Sequence, residues 1–457
     1  MTSLPLLAPC LAQDLVALRH GQPVTAGHFL ADVRRLAAAF PPGRHVLNAC
    51  ADRYRFAVGL AAALLADKIS LLPPTLTPEM VRQVQAFAPD LFCLSDQAQS
   101  VALPRLAWAD VMTSASPAPA IGHGGPWDIP HIPASRTASI MFTSGSTGAP
   151  VAHRKSWGSL VRSARAEADI LGLLDGRRHS IVATVPPQHM FGFESTVLLP
   201  LQSGSVLDAA RPFYPADICA ALAAGARPRM LVTTPVHLKA LLASGLDIPP
   251  IDLLLSATAA LPPHLAFDAE ARLQAPLLEI YGSTETGQIA TRRLSQGEAW
   301  TLFPDVRLSV DQGQAWASGG HVEQATPLAD EIESLSDSRF LLHGRTADLV
   351  NIAGKRSSLG YLNHQLHAIP GVLDGAFFMP DDSGGDSVVR LIAFVVAPGL
   401  AAPALLAALR ERIDAIFIPR PLVLVEALPR NSTGKLPREA LQALAREHLR
   451  KKPSHAE

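Results

Sequence analysis

The chain has 457 residues, of which 48% are hydrophobic and 17% are charged, and its formal net charge is −1. This length is too great for one compact core and predicts two or three domains, and the composition favours a folded α/β protein over a disordered chain. Because the charge is balanced, we expect neither nucleic acid nor an anionic membrane as a partner, and any bound anion must be held at a local site.

The first hundred residues alternate helical and strand patterns. The predicted helices are 29–40, 53–67 and 78–87, and the predicted strands are 44–50, 70–74 and 90–96. Strands that are separated by helices predict a parallel sheet covered on both faces. A stretch rich in Pro, Gly and Ser follows at 113–135, and we interpret it as a surface connection.

A second series of strands and helices follows this connection. Its predicted strands are 137–142, 180–187, 229–235, 251–257 and 277–283, with a helix after Gly192. Short alternating segments then indicate a β-rich section, at 305–310, 314–320 and 338–344. The last portion contains a strand at 388–398, a helix at 400–417, a strand at 421–429 and a basic helix at 438–452. We therefore predict an α/β fold class, with a large N-terminal domain of parallel-rich sheets covered by helices, a β-rich subdomain, and a small α+β C-terminal domain.

The cysteines and the apolar segments argue against several classes of protein. No CxxC pair or histidine at ligand spacing accompanies Cys10, Cys50, Cys93 or Cys219, so we expect reduced thiols rather than a zinc site or a disulfide framework. The N-terminus lacks the basic start of a signal peptide, and the longest apolar run, 56–66, is shorter than the roughly 20 residues that span a bilayer. We expect a cytoplasmic protein without membrane insertion.

Two Gly-rich motifs follow predicted strands and carry groups suited to phosphates. In the first, glycines let main-chain amides approach an anion and hydroxyls add donors, although such a turn is often only a turn. It is not a Walker loop, because no Gly-Lys-Ser/Thr follows. Its residues are Thr143, Ser144, Gly145, Ser146, Thr147 and Gly148. In the second, Tyr281 offers a flat ring for a base and is followed by Gly282. Thr284 then offers a hydroxyl for a phosphate, and Glu285 offers a carboxylate suited to magnesium.

Two further motifs lie in the last quarter of the chain. The sequence GRTAD at 344–348 is followed by NIAGKR at 351–356, and PRNSTGKL at 429–436 presents Lys435. Alone, a lysine after a glycine is typical of a solvated loop. In this order and spacing, however, the four motifs resemble those of the ANL superfamily of adenylate-forming enzymes, which includes acyl- and aryl-CoA synthetases, adenylation domains and luciferases. The resemblance runs from about residue 137 to residue 435.

The resemblance implies that the protein uses ATP and Mg²⁺ to activate a carboxylic acid as acyl-AMP, and then transfers the acyl group to a thiol. By similarity, the 143–148 loop would hold the β- and γ-phosphates. Tyr281 would stack on adenine next to Gly282, and Glu279 would accept from the adenine amino group. Thr284 would contact the α-phosphate.

The remaining implied roles concern the metal, the ribose and the reacting groups. Glu285 would hold Mg²⁺, and Asp330 and Arg345 would bind the ribose. Lys435 would bridge the acyl carboxylate and the α-phosphate. Since these two groups are anions, catalysis needs cations where charge accumulates, and no general base is required because the acid is already ionised.

The resemblance also implies two domains, 1–345 for ATP and acyl binding and 346–457 as a small mobile domain that carries Lys435. Ala347 and Asp348 occupy the hinge, and the loop after it would enter the site for the second half-reaction. There Gly354 would let a pantetheine arm pass close to the main chain.

Three positions depart from the family pattern. Val151 replaces the usual lysine of the phosphate loop, which leaves open whether Lys155 takes its place. Ala347 replaces the usual charged pivot, so the pivot residue also stays open. Ala257 and Thr258 replace a common Gly-Gly pair in the acyl-pocket wall, and the added volume favours a small or flat acid over a long fatty chain.

The resemblance places His189 at the usual histidine of the acyl-site motif, where Phe191 and Phe193 would frame an aromatic ring, with ordinary core packing as the alternative. We therefore favour an aryl acid, such as a hydroxybenzoate. The acceptor is coenzyme A or an acyl carrier protein, as in aryl-acid ligases of the xanthomonadin and aryl-polyene type. The alternatives are a short- or medium-chain fatty acyl-CoA synthetase, an enzyme that stops at the adenylate, and a non-catalytic nucleotide-binding relative.

Overall fold

The computed structural model describes residues 2–97, 101–113, 127–144, 150–258, 261, 263–311, 314–345, 349–352, 355–380, 390–429, 436 and 438–450. The chain divides into two compact units. The first comprises Met1–Pro74, Gln85–Phe142 and Ala152–Thr346, and the second comprises Thr75–Val84, Thr143–Val151 and Ala347–Glu457.

The strands are β1 (Ser3–Pro5), β2 (Leu15–Arg19), β3 (Gln22–Thr25), β4 (His45–Asn48), β5 (Ile69–Leu72), β6 (Phe92–Ser95), β7 (Arg105–Ala107), β8 (His131–Pro133), β9 (Thr137–Ser144), β10 (Pro150–Ser156), β11 (Ser180–Ala183), β12 (Val206–Asp208), β13 (Arg229–Thr233), β14 (Leu253–Ser256), β15 (Leu277–Ser283), β16 (Gly287–Arg292), β17 (Trp300–Leu302), β18 (Val306–Asp311), β19 (Gln314–Gly319), β20 (Val322–Pro327), β21 (Asp330–Ser336), β22 (Arg339–Arg345), β23 (Leu349–Ile352), β24 (Lys355–Ser358), β25 (Asp374–Phe378), β26 (Ile392–Val396) and β27 (Leu422–Leu424).

The helices are α1 (Ala26–Ala39), α2 (Arg53–Leu65), α3 (Pro78–Phe87), α4 (Trp108–Thr113), α5 (Trp157–Ile170), α6 (Met190–Phe193), α7 (Leu199–Ser203), α8 (Pro215–Ala224), α9 (Pro235–Ala243), α10 (Pro263–Leu273), α11 (Leu359–His367), α12 (Ala402–Arg410) and α13 (Arg438–Arg450). A π-helical turn, Glu194–Leu198, joins α6 to α7, and 3₁₀ turns lie at Leu294–Gln296 and Ala415–Phe417.

The first unit is built on two large sheets. One has the strand order β10-β9-β5-β4-β6-β7, and the other has the order β21-β22-β17-β16-β15-β14-β13-β11-β12-β2-β3. In the second sheet the run from β15 to β2 is parallel, and the strands beyond β15 are antiparallel. The antiparallel β18, β19 and β20 form a separate small sheet. The predicted α/β fold class, with parallel-rich sheets and a β-rich section, is confirmed.

Successive side chains along the central strands of the larger sheet point to opposite faces, so the sheet packs against a separate apolar cluster on each face. Met230 and Leu253 belong to one apolar cluster, whereas their neighbours Leu231 and Leu254 belong to another cluster with helices α8, α9 and α10. This is the period of two expected for strands that are buried on both faces.

Helix α2 is apolar on nearly all sides and is buried along most of its length, as expected for a central helix. The side chain of Asp52 caps it by accepting a hydrogen bond from the main-chain N–H of Arg55. The charged exceptions to its apolar pattern are Arg53, its first residue, and Arg55.

In the second unit, β23 pairs with β24, and β25, β26 and β27 form a three-stranded sheet. Helices α11 and α12 supply apolar residues to the same core as β26, including Leu362 and Leu405. The predicted helix over 400–417 instead spans Ala402–Arg410, and a separate 3₁₀ turn follows at Ala415–Phe417, where the side chain of Asp414 accepts from the N–H of Ile416.

Two further observations bear on the sequence predictions. The predicted connection 113–135 contains β8, which pairs antiparallel with β1 at the N-terminus. Among the described helices, none is long and apolar enough to cross a membrane.

Candidate active site

The carboxyl ends of four neighbouring parallel strands bring the predicted site residues to one edge of the larger sheet. Strands β11, β13, β14 and β15 are adjacent and parallel. The segment 186–194 follows β11, Ala257 and Thr258 follow β14, and Tyr281 to Glu285 end β15 and begin the next turn. In α/β proteins, ligands bind at this edge of the sheet. The structure therefore brings the acyl-site motif and the adenine and magnesium motif together.

The turn that carries Thr284 and Glu285 joins β15 to β16. Ser283 and Thr286 brace it, because each main-chain N–H donates to the hydroxyl of the other residue at 3.2 Å. Gly287 closes the turn with a φ of 76°, a left-handed conformation that favours glycine. These hydrogen bonds thus support Thr284 and Glu285, the two residues of the turn with predicted roles.

Glu285, the residue predicted to hold Mg²⁺, is open to solvent. Its side chain is 39% exposed, and Nε2 of His153 lies 3.6 Å from its Oε1. Burial lowers the pKa of His153, which favours the neutral imidazole. A hard oxygen ligand that is open to solvent beside a neutral ring fits the magnesium role implied by the sequence.

Tyr281 and Asp330 form the centre of the predicted nucleoside site. The hydroxyl of Tyr281 donates to Oδ2 of Asp330 at 2.9 Å. The tyrosine ring is 8% exposed and packs 5.6 Å from the ring of Trp300 and 5.7 Å from that of Phe340. Asp330 lies directly opposite Arg345 in the register of β21 and β22, so the two residues with predicted ribose roles are cross-strand neighbours.

Glu279 has a partner that sequence reasoning missed. Its Oε2 lies 2.6 Å from Nε of Arg292, and the guanidinium of Arg292 stacks 4.5 Å over the ring of Trp300. Burial raises the pKa of Glu279, and Arg292 opposes this shift. The pair is directly opposite in the register of β15 and β16, so counting outward from the turn could have found it. The adenine role of Glu279 stays a prediction.

The three residues of the predicted acyl motif differ in placement. His189 lies at the start of α6 and is half-buried, and the half-buried Phe191 packs against the apolar cluster that includes Tyr281 and Ala257. Phe193, in contrast, is fully buried and meets Phe56 edge to face at 6.3 Å in another cluster. The structure therefore assigns Phe193 to the core, which corrects its predicted contact with the acid.

Ala257 and Thr258, the two residues predicted for the acyl-pocket wall, lie at the end of β14. Ala257 is buried, and Thr258 has a φ of 82°. A β-branched residue with a positive φ is a genuine outlier, because its Cβ substituents crowd the main chain, and such strain concentrates at functional sites.

Arg53 is a buried residue near the site that the sequence patterns did not single out. It is 1% exposed, and its guanidinium donates to groups that line the ends of β11 and β12 and the π-helical turn. The acceptors are the main-chain carbonyls of Ala183, Val185, Asp208 and Ala210 and the hydroxyl of Thr196. Arg53 therefore holds the segment that leads into the acyl motif. An arginine at the head of an otherwise apolar helix was the available signal.

Two buried glutamates lie near Gln288, at the start of β16. Glu167 on α5 and Glu194 at the start of the π-helical turn are 0% and 1% exposed. Burial raises the pKa of Glu167 to about 8 and that of Glu194 to about 7. In the part of the chain that the structure describes, neither carboxyl oxygen of Glu167 has a hydrogen-bond partner of good geometry, although Ser195 and Gln288 lie near it.

The Glu167→Gln variant should gain stability over the unsubstituted protein as the pH rises. The pKa of Glu167 is raised in the folded state from an ordinary value of 4.5 to about 8, so the unfolded chain loses the proton first. The free energy of unfolding therefore falls across this pH window, and the neutral glutamine removes that loss. Thermal melts at pH 5 and pH 8 should show a larger advantage for the variant at pH 8. A larger advantage at pH 5 would contradict the assignment.

Part of the predicted site lies outside the described residues or their described side chains. Thr143 is described near the end of β9. The described residues do not include the remainder of the predicted phosphate loop, the predicted hinge, the loop after it or the predicted catalytic lysine. The side chain of the arginine predicted to bind the ribose also lies outside the described part. The positions concerned are the side chains of Ser144 and Arg345, and Gly145, Ser146, Thr147, Gly148, Ala347, Asp348, Gly354 and Lys435.

The chain is similar to known proteins in both sequence and structure. Residues 11–315 match the family described as AMP-binding enzyme. A 4-coumarate–CoA ligase from Rhodobacter capsulatus is 34% identical over 66% of this chain and 75% of its own length. A 3-hydroxybenzoate–CoA/4-hydroxybenzoate–CoA ligase from Thauera aromatica is 24% identical over 68% of this chain and 66% of its own length.

Solved structures resemble nearly the whole chain. The o-succinylbenzoate CoA synthetase from Bacillus subtilis has a TM-score of 0.81 at 19% identity, covering 97% of this chain and 99% of its own. An amide bond synthetase from Marinactinospora thermotolerans has a TM-score of 0.76 at 20% identity, covering 94% and 97%. The chain therefore belongs to the family of AMP-binding enzymes, within the ANL superfamily of adenylate-forming enzymes, as an AMP-forming acid–thiol ligase.

Proposed function

We propose that the enzyme converts a small aryl acid, such as a hydroxybenzoate, into acyl-AMP with release of pyrophosphate. It then transfers the acyl group to the phosphopantetheine thiol of an acyl carrier protein or coenzyme A. The observation that carries the substrate proposal is Thr258, which has a strained main chain with a positive φ at the end of β14 and stands where the family resemblance leads us to expect glycine. It adds volume at the edge of the sheet where the acyl motif lies, which favours a short, flat acid.

The residues at this edge suit the first half-reaction. The acid carboxylate attacks the α-phosphorus of ATP, a phosphorus–oxygen bond to the acid forms, and pyrophosphate leaves. Bound Mg²⁺ would neutralise charge on the phosphates. Glu285 would hold the metal, Thr284 would contact the α-phosphate, and the Tyr281–Asp330 pair would orient the nucleoside. Lys435, from the proposed mobile domain 346–457, would stabilise the charge that accumulates between the two anions.

The named activities of the relatives support an aromatic acid. The ligases for 4-coumarate, indoleacetate and 3- or 4-hydroxybenzoate are named for aromatic acids. In this chain, the half-buried Phe191 lies beside His189 in the acyl motif and packs on the cluster that contains Ala257. An aromatic side chain at this position can pack against a ring of the substrate.

The acceptor is a pantetheine thiol on coenzyme A or on a carrier protein of the xanthomonadin and aryl-polyene type. A carrier protein would dock on basic residues of the enzyme near the point where its pantetheine arm enters the site. Arg420 is exposed in the second unit. Lys355, another basic residue of the second unit, pairs with Asp414. Consumption of ATP and a thiol acceptor favours the cytoplasm as the site of action.

The test is acid-dependent pyrophosphate release across hydroxybenzoates, cinnamates and fatty acids of increasing length, each with coenzyme A or a holo carrier protein. Turnover confined to aryl acids supports the proposal, and a higher rate with the carrier protein identifies the acceptor. Turnover with fatty acids would contradict the aryl assignment and leave the reaction class standing. No pyrophosphate release with any acid of the panel would favour a non-catalytic nucleotide-binding protein.

The Gly354→Leu variant should form acyl-AMP at a normal rate but transfer the acyl group at least about tenfold more slowly. A side chain at this position would occupy the path of the pantetheine arm, and a small misplacement of reacting groups carries a cost of this order. Acyl-AMP and thioester are measured separately by chromatography. Equal rates of both products in the variant and the unsubstituted enzyme would remove Gly354 from the path, and loss of both would point to folding.

A further inference from the structure

A buried lysine contacts the turn 283–287 from its protein side. Lys155, near the end of β10, is 7% exposed, and its Nζ donates to the main-chain carbonyl of Glu285 at 2.8 Å. Lysine is almost never fully buried unless its charge is compensated, so this placement is costly and specific.

A buried glutamate contacts the other end of the same turn. Oε1 of Glu194 accepts from the hydroxyl of Ser163 at 2.9 Å, and the main-chain N–H of Gln288 also donates to this carboxyl group. A Cβ on Gly287 would lie 2.8 Å from Oε1, so only glycine allows the carboxyl to approach this closely. The side chain of Gln288 donates to the hydroxyl of Ser195 at 2.7 Å, which ties the turn to the π-helical segment.

The charges of these two anchors are complementary. Burial lowers the pKa of Lys155, and the acids Glu194, Glu285 and Glu323 oppose this shift. Burial and the nearby Lys155 lower the pKa of His321 to about 4, so this ring adds no positive charge near neutral pH. Lys155 therefore lies in a buried, acidic surrounding, in which Glu194 and Glu285 favour its charged form.

We propose that Lys155 and Glu194 are positioning residues that hold the turn 283–287 from its buried side, and so fix the Glu285 carboxylate and the Thr284 hydroxyl toward the magnesium-bound triphosphate. This inference rests on the proposed role of Glu285 in metal binding. It also gives Lys155 a task different from that of the missing phosphate-loop lysine, since its ammonium group contacts the main chain of the turn.

The test uses Lys155→Met, which keeps the apolar stem of the side chain and removes the charge and the donors. Replacing a residue that orients a metal ligand typically lowers metal affinity or activity by about 10–100-fold. The Mg²⁺ concentration for half-maximal pyrophosphate release should therefore rise at least about tenfold. Thioester formation from synthetic acyl-AMP, which needs no ATP, should fall clearly less than pyrophosphate release, because this step keeps the α-phosphate contact of Thr284 but does not use the metal held by Glu285.

Lys68→Met is the matched control. Lys68 is also buried, at 8% exposure, and donates to the main-chain carbonyls of Pro41 and Gly43 rather than to the turn. This substitution removes the same groups and should lower the melting temperature without changing the Mg²⁺ requirement.

Glu194→Gln, which keeps the shape of the side chain, gives a second reading if Lys155→Met does not fold, and should also raise the Mg²⁺ requirement. An unchanged Mg²⁺ requirement in the Lys155 and Glu194 variants, or an equal loss of both half-reactions, would overturn the inference. Glu285→Gln tests the underlying assumption separately. If this variant responds to Mg²⁺ as the unsubstituted enzyme does, the metal role of Glu285 fails, whatever the other variants show.

Discussion

Lys435→Ala is expected to slow the formation of acyl-AMP by about 10²–10³-fold, the effect of removing one preorganised group that stabilises transition-state charge. In this reaction two anions approach each other, and the role proposed for the Glu285 carboxylate is to hold the metal. A cation between the acid and the α-phosphate is therefore the remaining requirement. Lys435 carries the charge in the motif where the family has its C-terminal lysine.

The measurement is acid-dependent exchange of labelled pyrophosphate into ATP, which reports the first half-reaction alone. Thioester formation from synthetic acyl-AMP is the internal control, because the second half-reaction does not need this lysine. Lys435→Arg keeps the charge and should retain more activity than Lys435→Ala. Normal pyrophosphate exchange in Lys435→Ala would refute the role, and an equal loss of both half-reactions would indicate a folding defect.

Local elements could be predicted well where apolar periodicity was long and turn residues bounded it. The predicted helix 78–87 and the predicted strand 277–283 coincide with α3 and β15. The pairing of distant strands could not be predicted in this way. Strand β2 lies parallel to β12 although almost two hundred residues separate them, and periodicity carries no information about such partners.

The same limit applies to the candidate site. The motif at 281–285 predicted roles for Tyr281 and Glu285, because a ring and a carboxylate suit a nucleotide and its magnesium, and the family resemblance added Asp330. The buried polar residues that support them carry no such local pattern. Lys155 and Glu194 become meaningful only when β10 and the π-helical turn each reach the turn between β15 and β16, which is a tertiary arrangement. Phe193 shows the reverse case, since an aromatic residue in a motif proved to be core.

Thr258→Gly is expected to shift the acid selectivity toward longer or bulkier substrates. Thr258 has a φ of 82°, and holding a residue in such a sparsely populated region costs of the order of 1–3 kcal/mol. Glycine adopts this conformation readily and removes the side chain from the wall. The ratio of kcat/KM for a longer acid to that for a hydroxybenzoate should rise by about 10–200-fold, the range for one methylene in a hydrophobic pocket.

Thr258→Ser is the matched control, because it keeps the hydroxyl and removes only the methyl group, so it should give a smaller shift in the same direction. The melting temperature supplies an independent reading. Relief of the strained main chain should offset the entropic cost of a new glycine, so Thr258→Gly should melt no lower than the unsubstituted protein. An unchanged selectivity would exclude Thr258 from the acyl wall, whereas a marked fall in melting temperature with unchanged selectivity would mean that the threonine serves the fold alone.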